Sequence, residues 1–235
     1  MDMKTPLLFA CSLLTASCGP ALDRLSQGDA ECLDIDTVGW KAFLEHWNEQ
    51  ALIRMKSWKK GFSDAEWAEL DKRGLFRAPA TQEQIDRKAR ELGRPLPPSY
   101  VDFLKVSNGW HAFDGSGEHV HYFPIEQVGR YEDIYPGSAS IWQSGTSLPV
   151  PDQDYFIYGP GQDPVNVRFE YLSQTVAIRS EVDANVILLN PNVIFENGEW
   201  EAWDLASQLA GAIRYPSFAA LMEARCVEHL AALAR

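Results

Sequence analysis

Lysine is absent from residues 114–204, which hold 15 Asp and Glu against three Arg. The rest of the chain has 18 acids and 18 bases, so the net charge of −12 arises in this one stretch. A surface so poor in cations repels nucleic acid and anionic lipid and attracts a cationic partner. Solubility alone is the plainer explanation of the same charge. Long apolar runs are also missing: the N-terminal run at 7–14 is too short to span a bilayer as a helix. The sequence has no G-x-S-x-G elbow and no H-E-x-x-H. Its Gly-rich stretches at 114–117 and 159–161 lack the Lys-Ser/Thr of a phosphate loop and lie among acids. Internal repeats and low-complexity tracts are absent. What is present is ordinary for a globular chain: 235 residues, 46% hydrophobic and 23% charged, enough to build a core without metal or disulfide.

The first residues read as an address. Lys4 precedes the apolar run, and Thr15, Ala16 and Ser17 lead to Cys18, the shape of a signal peptide over 1–18. The 14–18 segment resembles a bacterial lipobox, in which Cys18 is lipidated and becomes the new N-terminus. Thr15 and Asp2 depart from that pattern. Residues 19–35 have no period and suit a tether. Localisation is therefore expected to be periplasm-facing and membrane-anchored, with a cytoplasmic chain as the alternative. Cys32 and Cys226 would remain after processing. They pair in an oxidising compartment or stand as two free thiols, and Cys226 also suits a buried helix face.

The body, 36–235, begins with helices. Trp40, Phe43, Leu44, Trp47, Ala51 and Met55 recur at helical spacing within 36–57, which ends in a basic run at 56–60. Ser63 with Glu66, and Thr81 with Gln84, form capping boxes, and Gly74 and Gly93 close the two helices. Pro97-Pro98 starts a short helix bearing Tyr100, Phe103 and Leu104 that ends at Asn108-Gly109. Strands are predicted at 119–128, 155–158, 167–172, 175–179, 186–190 and 199–203. Hairpins are expected at Ser173-Gln174 and at Glu196-Asn197-Gly198. Residues 129–154 read as a long surface loop, 205–213 as a helix, and the last helix begins near Ser217. Trp200 and Trp203, three apart, face opposite sides of a strand. Either one is core and the other exposed, or a bulge reconciles them. Helices, then strands, then helices predict an α+β fold with an antiparallel sheet.

Two ordered motifs carry a resemblance. Leu92-Gly93, Leu96-Pro97, Tyr100, Phe103-Leu104 and Asn108-Gly109-Trp110, followed by 198–203 and 210–218, resemble the signatures of the SUKH superfamily, over roughly 80–225. The resemblance implies a curved, mainly antiparallel sheet partly wrapped by helices, with 36–75 as a helical extension. It also implies a trade: many bacterial members are immunity proteins that neutralise toxins, a fungal branch regulates cell-wall synthesis, and no catalytic residue set belongs to the family.

The leading expectation is thus an immunity-type protein, not an enzyme, that binds a cognate toxin with a basic surface. It is expected to need no cofactor and to bind no nucleic acid. Candidate toxin-binding residues are Glu170, Glu181, Asp183, Glu199, Glu201, Trp142 and Tyr155, with Trp110, Tyr122 and Tyr158 as further aromatic anchors. One alternative is a membrane-anchored envelope scaffold or regulatory binding protein. Another is a zinc hydrolase built on His119 and His121, which share a strand face. A solvated His pair explains that spacing without metal, and no metal ligand is assigned. Glu199 and Glu201 share a strand spacing that fits paired carboxylates, but an acidic hairpin gives the same pattern.

Overall fold

Aromatic residues at helical spacing near the N-terminus need a partner, and the computed structural model supplies one at the opposite end of the chain. It describes residues 32–56, 63–113, 119–144 and 149–233. The expected signal peptide, Cys18, most of the tether and part of the basic run at 56–60 lie outside them. Helix α1 (Ile35–Met55) is capped by Asp34, whose carboxylate accepts the Thr37 N–H at 2.7 Å. Its buried residues include Trp40, Phe43, Leu44, Trp47, Ala51 and Met55. They pack on α8 (Phe218–Leu233), where Trp40 stacks on Phe218 at 5.5 Å. Two further links join these helices. The Ile35 N–H donates to Glu223 at 2.7 Å, and Cys32 and Cys226 form a disulfide, with Cα atoms 6.1 Å apart. The open alternative of two free thiols is resolved as a pair.

Between them lie α2 (Asp64–Arg73), α3 (Gln82–Leu92) and α4 (Pro98–Val106). Both halves of the Thr81–Gln84 capping box form, and Gly93 adopts the left-handed conformation that ends α3. Pro98 opens α4 at its first turn, where a missing N–H costs nothing. For the Ser63–Glu66 box, the Glu66 side chain lies outside the described set.

Strands β1 (Trp110–Phe113) and β2 (His119–Tyr122) form a separate antiparallel pair, linked to the rest through bridges Phe76–Trp110 and Tyr122–Arg179. The main sheet has the order β3 (Gly129–Arg130), β4 (Val176–Ala177), β5 (Val186–Ile194), β6 (Trp200–Ala206), β7 (Gly211–Tyr215), each pair antiparallel. The β5–β6 hairpin turns at Gly198, with φ 83, as Asn-Gly predicts. The α+β class and antiparallel sheet are as expected.

Period-two alternation then sorts the sheet into two cores. Ile187, Leu189, Trp200 and Ala202 face the helices, while Val186, Leu188, Trp203 and Leu205 face a second cluster. Trp200 and Trp203 do point to opposite faces, yet both are buried. Neither expected resolution was needed, because both faces of the sheet are covered.

The cover of the second face is the segment 131–174, and it departs most from expectation. The supposed loop at 129–154 contains α5 (Tyr131–Ile134), α6 (Ser138–Ser144) and the start of α7 (Asp152–Tyr155). The strands predicted at 155–158 and 167–172 are absent, and a 3₁₀ helix runs through Phe169–Gln174 where a hairpin was expected. Tyr155, Val167, Phe169 and Leu172 reach the core from these irregular turns, so burial did not require strand pairing.

The helix predicted at 205–213 is also corrected. Strand β6 continues to Ala206, Ser207–Leu209 makes one 3₁₀ turn, Ala210 turns left-handed at φ 49, and β7 follows. Pairing along β6 outweighs the helix preference of its Ala and Leu residues. The outer edge of β7 is closed. The Ala212 N–H donates to the Pro164 carbonyl at 3.0 Å, and the Gln162 amide both accepts from the Arg214 N–H (2.6 Å) and donates to its carbonyl (2.9 Å). A side-chain amide stands in for a strand. A Cβ at Gly211 would sit 2.0 Å from the Pro164 oxygen, so this approach requires glycine.

One acid-sensitive contact arises in the helical layer. The Trp47 indole N–H donates to His229 Nδ1 at 2.8 Å, which requires a neutral imidazole. Burial, with Arg225 and Arg54 nearby, lowers the His229 pKa to about 4. The folded state therefore binds fewer protons than the unfolded chain between about pH 6.5 and 4. Stability is present above the unfolded value and lost as pH falls through that window, by about 3 kcal/mol for this group. Burial raises Glu223 and Glu228, which act with the opposite sign. The difference between the native chain and His229→Gln in urea midpoints at pH 7 and pH 4.5 isolates the His229 contribution. An equal pH dependence in both would refute it.

Candidate protein-binding surface

The sheet register decides which of the candidate contact residues can meet a partner. Glu201, Trp203 and Leu205 alternate toward the second core, with Asn190 opposite Glu201 and Arg214 opposite Trp203. These polar groups therefore converge inside. Glu201 is fully buried. It accepts from Tyr155 Oη (2.6 Å), Trp203 Nε1 (2.6 Å), Asn190 Nδ2 (2.9 Å), Tyr158 Oη (2.9 Å) and Arg214 Nη1 (3.4 Å). Arg214 also donates to the Tyr155 carbonyl and lies over the Tyr155 ring at 4.3 Å. Burial first, and then the Glu201 charge, push the Tyr155 and Tyr158 hydroxyls far above their ordinary pKa, so both stay protonated donors.

Glu199 is likewise withdrawn from the surface. Its carboxylate accepts the Ser99 N–H at 2.7 Å and the Ser99 hydroxyl at 2.6 Å. A carboxylate thus satisfies the first turn of α4, where Pro97 offers no side-chain cap. Burial thus gives Glu199, Glu201 and Tyr155 places within the fold, with little or no surface turned outward. The two carboxylates have separate partners, Ser99 for Glu199 and the Tyr155, Trp203, Asn190 and Arg214 groups for Glu201. Trp110 and Tyr122 are buried too, and Tyr158 is half-buried.

The remaining candidates sit outside. Glu170 and Asp183 are exposed, the latter in a tight turn closed by the Val182 N–H to the Asn185 carbonyl. Glu181 is half-exposed: it accepts from Tyr131 Oη at 2.9 Å while its own N–H donates to Tyr135 Oη at 2.8 Å. Trp142 stacks on Phe169 at 5.5 Å and stays partly exposed.

Around these, the 131–174 cover presents residues that sequence reasoning passed over. Ile141 is 73% exposed, Val165 54% and Phe156 46%, with Ile157 beside it. Exposed Asp133, Asp152, Asp163 and Glu170 lie in the same segment. Its one arginine, Arg168, is neutralised internally by Asp152 and the Val150 carbonyl, and lies over Tyr155 at 4.5 Å. Apolar residues in a segment without period were the available signal, since no core face demands them there. Exposed apolar side chains together with carboxylates in one segment have the composition of a protein–protein interface.

The histidines take other roles. His111 pairs with His121 across β1 and β2, ring centroids 4.7 Å apart, and Arg73 Nη1 stands 3.1 Å from His111 Nε2. The His119 side chain lies outside the described set. Among the described residues no three His, Cys, Asp or Glu side chains converge on a metal position, and no helix is long and apolar enough to cross a membrane.

A search of curated proteins finds no match to the chain. The profile of the SMI1 / KNR4 family (SUKH-1) matches residues 79–221, from the approach to α3 through the sheet into α8. The matched span contains the main sheet, the second core, the Glu201–Arg214 network and the whole 131–174 cover, and on this match the chain belongs to the SMI1 / KNR4 (SUKH-1) family.

Proposed function

We propose that this chain is an immunity-type protein that neutralises a cognate toxin by covering it with the 131–174 face. Membership of the family is consistent with an immunity-type, non-enzymatic protein. The observation that carries the reading is the set of exposed apolar side chains, Ile141, Phe156, Ile157 and Val165, in one segment with exposed Asp133, Asp163 and Glu170. Apolar anchors supply affinity, and the carboxylates, with Glu181 and Asp183 at the margin, steer a basic toxin surface into place.

The setting proposed is outside the cytoplasm, with Cys18 lipidated and residues 19–35 as the tether leading into α1. The Cys32–Cys226 disulfide supports this, because such bonds persist in oxidising compartments. The toxin then acts in the periplasm or is caught in transit.

The test is co-expression with the toxin encoded beside the gene. The expected result is a complex that survives size exclusion, forms more slowly at high salt, and protects cells. Phe156→Asp and Ile157→Asp should each weaken it at least 10-fold, while Ile53→Asp, on the exposed side of α1, should not. A native chain that neither binds nor protects against any neighbouring product sinks the proposal.

A further inference from the structure

Phe156, Ile157 and Val165 lie on one irregular stretch, 156–167, between α7 and the 3₁₀ helix Phe169–Gln174. Exposed side chains sample several rotamers, and ordering them on binding costs affinity. The middle of this stretch is fixed, since Gln162 and the Pro164 carbonyl bond the edge of β7. Its two ends are joined by Arg168. From just beyond the stretch, the Arg168 Nε and Nη2 donate back to the Val150 carbonyl at 3.0 and 2.8 Å, and Nη2 also meets the Asp152 carboxylate. On its own side, Nη1 donates to Tyr171 Oη at 3.3 Å.

The same guanidinium carbon stands 4.5 Å from the centre of the Tyr155 ring, 5.6 Å from that of Phe156 and 6.0 Å from that of Tyr171, within the reach of cation–π attraction. The Arg168 side chain is 13% exposed, whereas Phe156 is 46% exposed. The cation therefore meets the Phe156 ring from the protein side and leaves its outer part open. Apolar packing holds a ring only as far as it buries it, while a cation orients a ring without covering it. Arginine suits both tasks. Its planar fork reaches carbonyl, carboxylate and hydroxyl together, and its flat face lies on aromatic rings, which a lysine ammonium cannot reproduce.

We infer that Arg168 is the positioning residue of the docking face: it clasps Val150 and Asp152 to Tyr171 and sets the Phe156 ring before a partner arrives. This rests on the proposed docking face and deepens it. Phe156 supplies the contact, and Arg168 acts through Phe156 without being touched by the partner. A ring already set in the free chain loses less freedom on docking than one that is ordered only in the complex.

The first test needs no partner. Ring-fluorinated phenylalanine is incorporated into the full chain, the Phe156 signal is assigned from Phe156→Leu, and transverse fluorine relaxation is compared between the native chain, Arg168→Lys and Arg168→Gln. Arg168→Lys keeps the charge but cannot lie flat on the rings. In both variants the Phe156 relaxation rate is expected to fall toward that of a mobile ring, while the buried Phe103 and Phe218 keep theirs. A Phe156 rate that does not fall overturns the inference. A chain that folds with neither replacement overturns it as well, since Arg168 then serves the fold as a whole. In the second test, Arg168→Lys is measured against the toxin encoded beside the gene. Binding about 3- to 10-fold weaker is expected, the cost of ordering one more side chain, with the salt dependence of association unchanged because the charge is kept. If the native chain binds and Arg168→Lys binds equally well, the inference fails and the docking face stands. If the native chain binds nothing, the docking face fails, and fluorine relaxation still decides whether Arg168 sets the Phe156 ring.

Discussion

Cys32→Ser lowers the unfolding free energy by about 4–5 kcal/mol, and Cys226→Ser by at least as much. The bond joins residues 194 apart in sequence. Closing a loop of that length removes chain entropy from the unfolded state worth about 5 kcal/mol in the loop-closure account. The native state adds to the effect, because Cys226 lies fully buried in the first core and a serine there would bury an unpaired hydroxyl. Cys32 is only partly buried and gives the cleaner measure. For a domain of this size the loss corresponds to roughly 10–20 °C in Tm. Thermal melts of the native chain with and without reductant should differ by the same amount as native and Cys32→Ser. A Cys32→Ser chain that melts with the native protein would show that α1 and α8 need no covalent link.

Glu201→Ala is the second large effect, expected at about 3–5 kcal/mol. Removing one member of a buried ion pair strands the other, here Arg214, which has no exposed surface. Tyr155, Tyr158, Trp203 and Asn190 also lose their common acceptor. Arg214→Met should cost a similar amount. The Glu201→Met/Arg214→Met double variant should be less destabilised than the sum of the Glu201→Met and Arg214→Met single variants, since neither charge is then left alone; these three and the native chain form the cycle. Urea midpoints of the four proteins give the coupling. Strictly additive losses would mean that Glu201 and Arg214 act separately. The distinction bears on function: Glu201 variants should lose stability while the fraction still folded binds the toxin normally. Phe156 and Ile157 variants should show the reverse.

Much of the helical half was legible because its signals are local. The Thr81–Gln84 box, Gly93, Pro98 and the stripe from Trp40 to Met55 depend on neighbours within one or two turns. The order of helices and strands gave the antiparallel sheet, and helical spacing gave the last helix, near Ser217, which begins at Phe218. What could not be read depends on distant residues. An isolated Glu is assigned to the surface because an unpaired charge is costly to bury. Glu201 is inside only because β7 sets Arg214 beside Trp203, which requires knowing that 211–215 is a strand. That assignment failed in turn because Ala and Leu around 205–213 prefer helix until β6 offers an edge. The 131–174 cover has no period at all, since its aromatic anchors enter the core from separate short turns. The residues of the proposed docking face were missed for the same reason: exposure of Phe156 or Ile141 shows only once the cover is placed.

The sealed margin of β7 bears on how such a protein can change allegiance. With Pro164 accepting from the Ala212 N–H and Gln162 occupying both main-chain groups of Arg214, a visitor cannot read the backbone there as an added strand. Backbone pairing is generic and accepts many sequences. Contact through side chains on a cover that contributes no strand to the five-stranded sheet is selective, and each contact can be replaced without disturbing the scaffold beneath. On the proposed function, a new partner would be met by substitutions at a few exposed positions, with the buried framework of Glu201, Arg214, Trp200 and Trp203 left as it is.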